Sequence, residues 1–170
     1  MSIPPKKTTR TFVSRIDIPA DKRTKLVELL NARLADTFDL MSQVKQAHWN
    51  VKGQEFYQLH LLFDEIAGEL AEYVDELAER AVALGGYATG TVRMAAENST
   101  LPEYPTGATD GLEHVEALAE RFALFAKSIR AAIDSSSELG DASTADLFTE
   151  VSRDVDKRLW FIEAHLQDGR

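Results

Sequence analysis

Four residues able to bind a metal lie on one face of a predicted helix. They are His60, Asp64, Asp75 and Glu79, and at 100° per residue each falls within about 60° of Asp64. Imidazole and carboxylate ligands together suit Fe, Mn or Zn in the divalent state, and carboxylates can bridge two ions. The sequence contains no cysteine, which excludes thiolate sites and thiol nucleophiles. Metal chemistry with nitrogen and oxygen ligands is therefore the first hypothesis.

These four ligands cannot share a metal within one chain. Asp64 and Asp75 are about 16 Å apart along a helix, and His60 and Glu79 about 28 Å. The two pairs nevertheless have the same midpoint. An identical helix lying antiparallel across a twofold axis there would set Asp64 opposite Asp75 of a second copy, and His60 opposite its Glu79. This self-complementary contact would create two equal ligand clusters.

The centre of the same face carries small side chains. Gly68 would face Ala71 across the twofold axis, with Ala67 and Ala78 on either side, so two helices could approach closely. His48, near the end of the preceding helix, adds a fifth ligand. The Glu-x-x-His motif of bundle-core di-iron sites does not occur in the sequence. A site between subunits is therefore the better interpretation.

Apolar residues at steps of three and four predict the helices that position these ligands. The first helix spans residues 21–50 and the second about 55–84. The third begins at Asp110 with a box-like cap and ends before Gly140, and the fourth carries its stripe over 147–166. The stripes consist of Leu26, Leu30, Leu34, Phe38, Met41 and Val44; Leu59, Leu62, Ile66, Leu70, Tyr73, Leu77, Ala81 and Leu84; Leu118, Phe122, Phe125, Ile129 and Ile133; and Leu147, Val151, Val155, Leu159, Ile162 and Leu166.

The connections predict how these helices are joined. The first and second helices, and the third and fourth, are linked by short segments and should form antiparallel hairpins. Residues 85–107 between the pairs are long enough to cross the bundle, and residues 91–98 could form a short helix there. The predicted fold class is all-α: a ferritin-like four-helix bundle with one long crossover containing a short extra helix, over residues 19–170.

Composition and charge narrow the remaining possibilities. The 170 residues are 44% hydrophobic and carry a net charge of −9, which argues against nucleic-acid binding by the whole surface. No apolar run is long enough for a membrane span, and the start lacks the core of a secretory signal. We therefore expect one soluble, cytoplasmic domain. Residues 1–18 form a predicted flexible basic arm with Lys6, Lys7, Arg10 and Arg15.

Two stretches combine the candidate ligands with characteristic neighbours. They are His48-Trp49-Asn50-x-x-Gly53 and the set His60, Asp64, Asp75 and Glu79-Arg80-Ala81. This pattern resembles the Dps family, the mini-ferritins or DNA-binding proteins from starved cells. The stretches AERAVALGG and SRDVDKRLWFIE add to the resemblance. It covers the chain from about residue 20 to the end and leaves only the arm unmatched.

The resemblance implies a homo-dodecamer with tetrahedral symmetry around a cavity. Fe(II) would be oxidised there, preferentially by hydrogen peroxide over dioxygen, and stored as ferric mineral, which protects the cell from oxidative damage. The ferroxidase ligands would be His48, His60 and Asp64 of one subunit with Asp75 and Glu79 of its twofold mate. Each site would hold two iron ions, for which Zn or Mn can substitute.

Further acids have two interpretations each. Glu65 begins an acidic stripe on the second helix with Glu69, Glu72 and Glu76. The stripe is either a solvated face or, inside a shell, a place where ferric ions collect and mineral growth starts. Asp141, Asp146 and Glu150 either cap and solvate the start of the fourth helix or, as the resemblance implies, line a threefold pore that attracts Fe²⁺.

Two other functions compete with iron storage. A nucleoid-associated protein would use the arm mainly to bind and compact DNA, because several arms on one shell bind phosphate multivalently. A helical bundle without metal would leave unexplained the carboxylates that we expect to be buried on the ligand face. His114 and His165 have no evident partner in the sequence and are interpreted as ordinary helix residues.

Overall fold

The protein, seen in a computed structural model, is described over residues 10–167. Within that range it contains five α-helices and no strand. The helices are α1 (Ala20–Asn50), α2 (Phe56–Ala83), α3 (Val92–Asn98), α4 (Gly111–Glu138) and α5 (Ala142–Glu163). α1 packs along α2 and α4 along α5, while α3 lies in the long crossover against α1. The predicted fold class is confirmed, including the short extra helix.

Local sequence signals place the helix ends. The Asp110 carboxylate accepts the N–H of Leu112, and Glu113 closes a capping box at the start of α4. α2 ends before Gly85, whose φ is +85°. A Cβ at Gly85 would lie 2.6 Å from the Phe12 carbonyl oxygen, so this position needs glycine for both its backbone angle and the close approach of another segment.

The predicted apolar stripes form the core. Phe63, Phe122, Phe125 and Phe148 are among its largest fully buried side chains. Two members of the stripes differ from the prediction: Phe38 is only partly buried and does not join the core, and Leu166 lies beyond the end of α5 and is 37% exposed. The helix stops at Glu163, three residues earlier, so the stripe has no helical backbone to continue on.

The segment before α1 contacts the bundle where the structure describes it. The Phe12 N–H donates a 2.8 Å hydrogen bond to the Gly85 carbonyl oxygen, and Ile16 and Ile18 pack against the core. Two of the predicted arm's basic residues, Lys6 and Lys7, lie outside the described residues. Within residues 10–167, no helix is long and apolar enough to cross a membrane.

The crossover is fixed to the bundle by buried polar groups. Thr100 donates its N–H to the Asp36 carboxylate over 2.7 Å. Gln43 donates to the Pro102 carbonyl and accepts from the buried Arg121 guanidinium, which also donates to the Glu103 carbonyl. These contacts position the crossover beside the last turns of α1, which carry His48.

Candidate metal centre

Two histidines from neighbouring helices form a stacked pair. The His48 ring, from the last turn of α1, lies 3.8 Å from the His60 ring, from the first turns of α2, measured between centroids. His48 Nδ1 is 2.8 Å from the His60 carbonyl oxygen, and His60 Nδ1 is 2.9 Å from the His48 carbonyl oxygen. Because a carbonyl can only accept, both Nδ1 atoms must carry hydrogen. In the neutral imidazoles, Nε2 is then the atom with a free lone pair, as a metal ligand requires.

Helix ends explain why this reciprocal pairing forms. The His48 carbonyl belongs to the last turn of α1, where carbonyls have no partner within the helix. The next N–H that could reach it, that of Lys52, donates instead to Thr109. The His60 ring satisfies this carbonyl and thereby fixes its own orientation. Phe56 packs beside the His60 ring with 5.1 Å between centroids.

Asp64 lies next to this pair and is held by a lysine. Its Oδ1 is 3.9 Å from His48 Nε2 and 2.7 Å from Lys45 Nζ. The hydrogen bond and charge of Lys45 lower the pKa of the Asp64 carboxyl, so that it is ionised at neutral pH. A cation binding there must displace the ammonium group. Lys45 was missed in the sequence because only the folded hairpin brings it to the ligand face.

The remaining two candidate ligands lie farther along α2. Asp75 and Glu79 are exposed on the same side of the helix as Asp64. Across residues 10–167 no three His, Asp or Glu side chains are arranged to hold a metal within the single chain. His48 stacks on His60 and lies 3.9 Å from Asp64 without forming a complete ligand set, and Asp75 and Glu79 lie farther along α2. A second copy would have to supply the latter pair.

The centre of the ligand face is open. Gly68 and Ala71 are exposed, and a Cβ built at Gly68 would have nothing within 4 Å. The opposite stripe of α2, through Leu70 and Leu77, is buried in the bundle. α2 therefore has one face packed inside the subunit and another, lined by small residues and ligands, that is free to receive a second helix.

Asp141, one of the three predicted pore acids, forms an ion pair and a helix cap inside the subunit. Its side chain is 3% exposed and pairs with Arg80 Nη2 at 2.9 Å. It also accepts the N–H of Thr144 and caps α5. Burial opposes ionisation, but the hydrogen bonds from Thr144 and Arg80 prevail and lower the pKa of Asp141. Asp146 and Glu150, by contrast, are exposed on α5, so a pore would have to rely on these two.

We predict that Asp141→Asn destabilises the fold at neutral pH by about 3 kcal/mol, because it leaves the Arg80 charge partly buried and unpaired. The lowered pKa means that the carboxylate stabilises the fold above its ordinary pKa and loses this effect as pH falls through the lowered value. The difference should therefore begin to close below about pH 4. Thermal unfolding over pH 3–8 measures it, with Asp146→Asn as the exposed control. Equal midpoints at pH 7 would contradict the assignment.

Glu65 is also engaged within the subunit. Its carboxylate lies 2.6 Å from Arg158 Nη2, and Glu69 contacts the same guanidinium. Beyond them, burial and the nearby charges of Glu150 and Glu72 raise the pKa of Glu76. The acidic stripe is thus neutralised at the Glu65 end and self-repelling farther along. Mineral growth at Glu65 stays a prediction.

Known proteins share this architecture. The ferritin-like domain family matches residues 27–170. The DNA protection during starvation protein of Agrobacterium fabrum is 43% identical over 94% of this chain and 98% of its own length. The solved structure of DpsC from Streptomyces coelicolor superposes with a TM-score of 0.89 at 36% identity, covering 100% of this chain and 98% of DpsC. For the Vibrio cholerae Dps protein, a member of a superfamily of ferritin-like diiron-carboxylate proteins, the TM-score is 0.86 at 26% identity, over 94% and 100% of the chains. The chain therefore belongs to the Dps family of ferritin-like proteins.

Proposed function

We propose that this protein is a ferroxidase that oxidises Fe(II) and stores the ferric product inside a dodecameric shell. The observation that carries the proposal is the histidine pair, whose Nδ1 atoms are both occupied by carbonyls, so that both Nε2 atoms are available and that of His48 lies 3.9 Å from Asp64. The relation to ferritin-like diiron-carboxylate proteins supports iron as the metal. Storage and protection from oxidative damage follow as the function.

The residues of the site would act by binding and orienting iron as substrate. His48, His60 and Asp64 of one subunit would hold Fe(II) together with Asp75 and Glu79 of its twofold mate. Two ferrous ions at one site can supply both electrons that hydrogen peroxide needs, so that no hydroxyl radical is released. The Lys45 ammonium would leave Asp64 as iron enters, because two cations cannot share that oxygen.

Iron oxidation kinetics test this function. We expect Fe(II) bound to the assembled protein to be oxidised faster by hydrogen peroxide than by dioxygen at matched concentrations. Glu79→Ala should slow the reaction at least about tenfold. Loss of a residue that only hydrogen-bonds to a metal ligand already lowers activity by about that factor, and Glu79 would bind the metal directly. Glu72→Ala, an exposed acid on the same helix but outside the ligand face, is the control. Equal rates for Glu79→Ala and the wild-type protein would reject the site.

A pore lined by Asp146 and Glu150 would deliver the iron. The two residues are exposed and four positions apart on α5, so they project from the same side of the helix. Three copies around a threefold axis would concentrate negative charge at an entrance. The proposal differs from the sequence prediction in leaving Asp141 out, since Arg80 already neutralises it.

Neutralising both pore acids should slow iron uptake without changing assembly. For Asp146→Asn with Glu150→Gln we expect uptake about tenfold slower at low ionic strength, because attraction of Fe²⁺ to the entrance is lost. The difference should shrink as salt rises. Stopped-flow uptake measures it, with Glu138→Gln as an exposed control. An unchanged rate at low salt would remove these residues from the path.

DNA binding remains a second proposal. Its support is the basic arm, of which Lys6 and Lys7 lie outside the described residues. The described part, from Arg10 onward, includes the contact of Phe12 with Gly85. Nothing in that contact favours DNA, so iron storage is the function that the geometry supports best.

A further inference from the structure

A tyrosine and a histidine outside the ligand set are joined by a short hydrogen bond. Tyr104, on the crossover, places its hydroxyl 2.6 Å from Nδ1 of His114, in the first turn of α4. His114 is fully buried and Tyr104 is half-buried. The ring centroids are 6.0 Å apart with planes 15° apart, so the hydrogen bond, not face-to-face contact, connects the two rings.

The surroundings set the direction of this hydrogen bond. Burial lowers the pKa of His114, so its imidazole is neutral at physiological pH, and burial raises the pKa of Tyr104, so its phenol keeps its proton. Nε2 of His114 has no hydrogen-bond partner among residues 10–167, so the Tyr104 hydroxyl determines which tautomer forms. A phenol is a stronger hydrogen-bond donor than a neutral imidazole, and the Tyr104 hydroxyl therefore donates to Nδ1 of His114.

A phenol held this way is suited to lose an electron and a proton together. Removing one electron from a phenol makes it a strong acid. The Arg121 guanidinium lies 5.5 Å from the Tyr104 ring centroid. Its positive charge would repel a positive charge left on the oxidised ring. Transfer of the proton to His114 Nδ1 in the same step avoids that charge on the ring.

The pair lies close to the candidate ligands. Tyr104 lines a groove of about 500 Å³ together with Trp49, the residue after His48. His114 is next to the Asn50 carbonyl, two residues after His48. The pair therefore lies beside the last turn of α1, which carries the candidate ligand His48.

We propose that Tyr104 and His114 form a proton-coupled one-electron donor to the metal site when that site holds a single Fe(II). This inference rests on the proposed ferroxidase function. Cleavage of the O–O bond of hydrogen peroxide takes up two electrons, and one ferrous ion supplies one of them. Tyr104 supplies the other and becomes a neutral phenoxyl radical, while its proton moves to His114 Nδ1. With two protons from solvent, peroxide yields two water molecules and the iron becomes Fe(III).

The other tyrosines provide comparisons within the chain. Tyr73 also donates a hydrogen bond, to Asp154, and lies among acids on the opposite part of α2. Tyr57 and Tyr87 are 67% and 49% exposed and make no hydroxyl hydrogen bond to other described residues. Replacing Tyr57 and Tyr87 by Phe gives a background protein in which only the two hydrogen-bonded tyrosines remain.

The first experiment tests the pair without iron. The metal-free, assembled background protein is oxidised by a flash-generated one-electron oxidant, photo-oxidised ruthenium tris-bipyridine, and phenoxyl radical is followed by absorbance and electron paramagnetic resonance. We expect radical formation that slows in D₂O, is lost in Tyr104→Phe and persists in Tyr73→Phe. His114→Gln should slow it about a hundredfold, the contribution of a positioned base. If that variant does not assemble, the D₂O comparison decides, since an unchanged rate overturns the proposal.

The second experiment tests coupling to the metal. One Fe(II) per site is mixed with one equivalent of hydrogen peroxide and frozen rapidly, and the phenoxyl signal is compared with that at two Fe(II) per site. We expect a Tyr104 signal at single loading that largely disappears at double loading, where iron supplies both electrons. A signal that survives Tyr104→Phe, or its absence in a wild-type protein that oxidises iron, overturns the donor role alone. A wild-type protein that oxidises no iron overturns the ferroxidase proposal as well.

Discussion

Shells coassembled from two inactive variants should recover about a quarter of the wild-type metal sites. One variant carries His60→Ala with Asp64→Ala, and the other carries Asp75→Ala with Glu79→Ala. Each alone would have no intact cluster, because in the proposed site every cluster takes one pair from each subunit. Random assembly of equal amounts makes half of the dimers mixed, and each mixed dimer has one complete cluster and one that lacks all four ligands. Rapid Fe(II) oxidation should return to about the same fraction.

The control for this recovery is a mixture of shells assembled separately. Such a mixture contains no mixed dimers and should stay inactive, unless subunits exchange. Mass spectrometry of the coassembled shells verifies that both variants are present in one particle. Should verified mixed shells bind no metal above the level of either parent, the ligand pairs do not meet across this twofold axis.

The helices were predictable because their signals are local. Steps of three and four between apolar residues depend only on helical periodicity, and the core that results is the one predicted except at Phe38 and Leu166. The start of α4 was predictable from Asp110 and Glu113, because a capping box joins residues three apart. The end of α5 was not, since the pattern continues to Leu166 in sequence while the helix stops at Glu163.

Part of the candidate site could be predicted from the sequence, because some of its residues lie close together on one helix. His60 and Asp64 are one turn apart, so their shared face follows from the helix alone. The basic side chains that pair with the predicted carboxylates are distant from them in sequence. Lys45 is 19 residues from Asp64, and Arg80 is 61 residues from Asp141. Tyr104 lies on an irregular segment, for which no periodicity predicts a neighbour. Contacts of this kind depend on how the hairpins pack, which the sequence pattern does not specify.

Gly68→Leu should break the shell into smaller species while leaving the subunit folded. Within the subunit the position is open, with nothing within 4 Å of an added Cβ, and replacing a helical glycine stabilises the helix by up to about 1 kcal/mol. In the proposed twofold contact, however, Gly68 faces Ala71 of the second copy. Two leucines per dimer would then overpack the contact, each costing about 1–3 kcal/mol. Sedimentation and native mass spectrometry measure the assembly, and circular dichroism measures the fold.

Gly68→Leu tests the shared site because it should leave the fold of the subunit intact and disrupt only the assembly. Loss of the shell could otherwise reflect a damaged subunit, but Gly68→Leu should retain helicity because its own chain leaves room for the side chain. Glu76→Leu adds the same side chain to the same helix about 80° away from Gly68, outside the ligand face, and should assemble normally. Iron oxidation should fall with assembly in Gly68→Leu, because separation of the two α2 helices removes Asp75 and Glu79 from each cluster. Intact, fully active Gly68→Leu shells would show that α2 does not meet a second copy at this face.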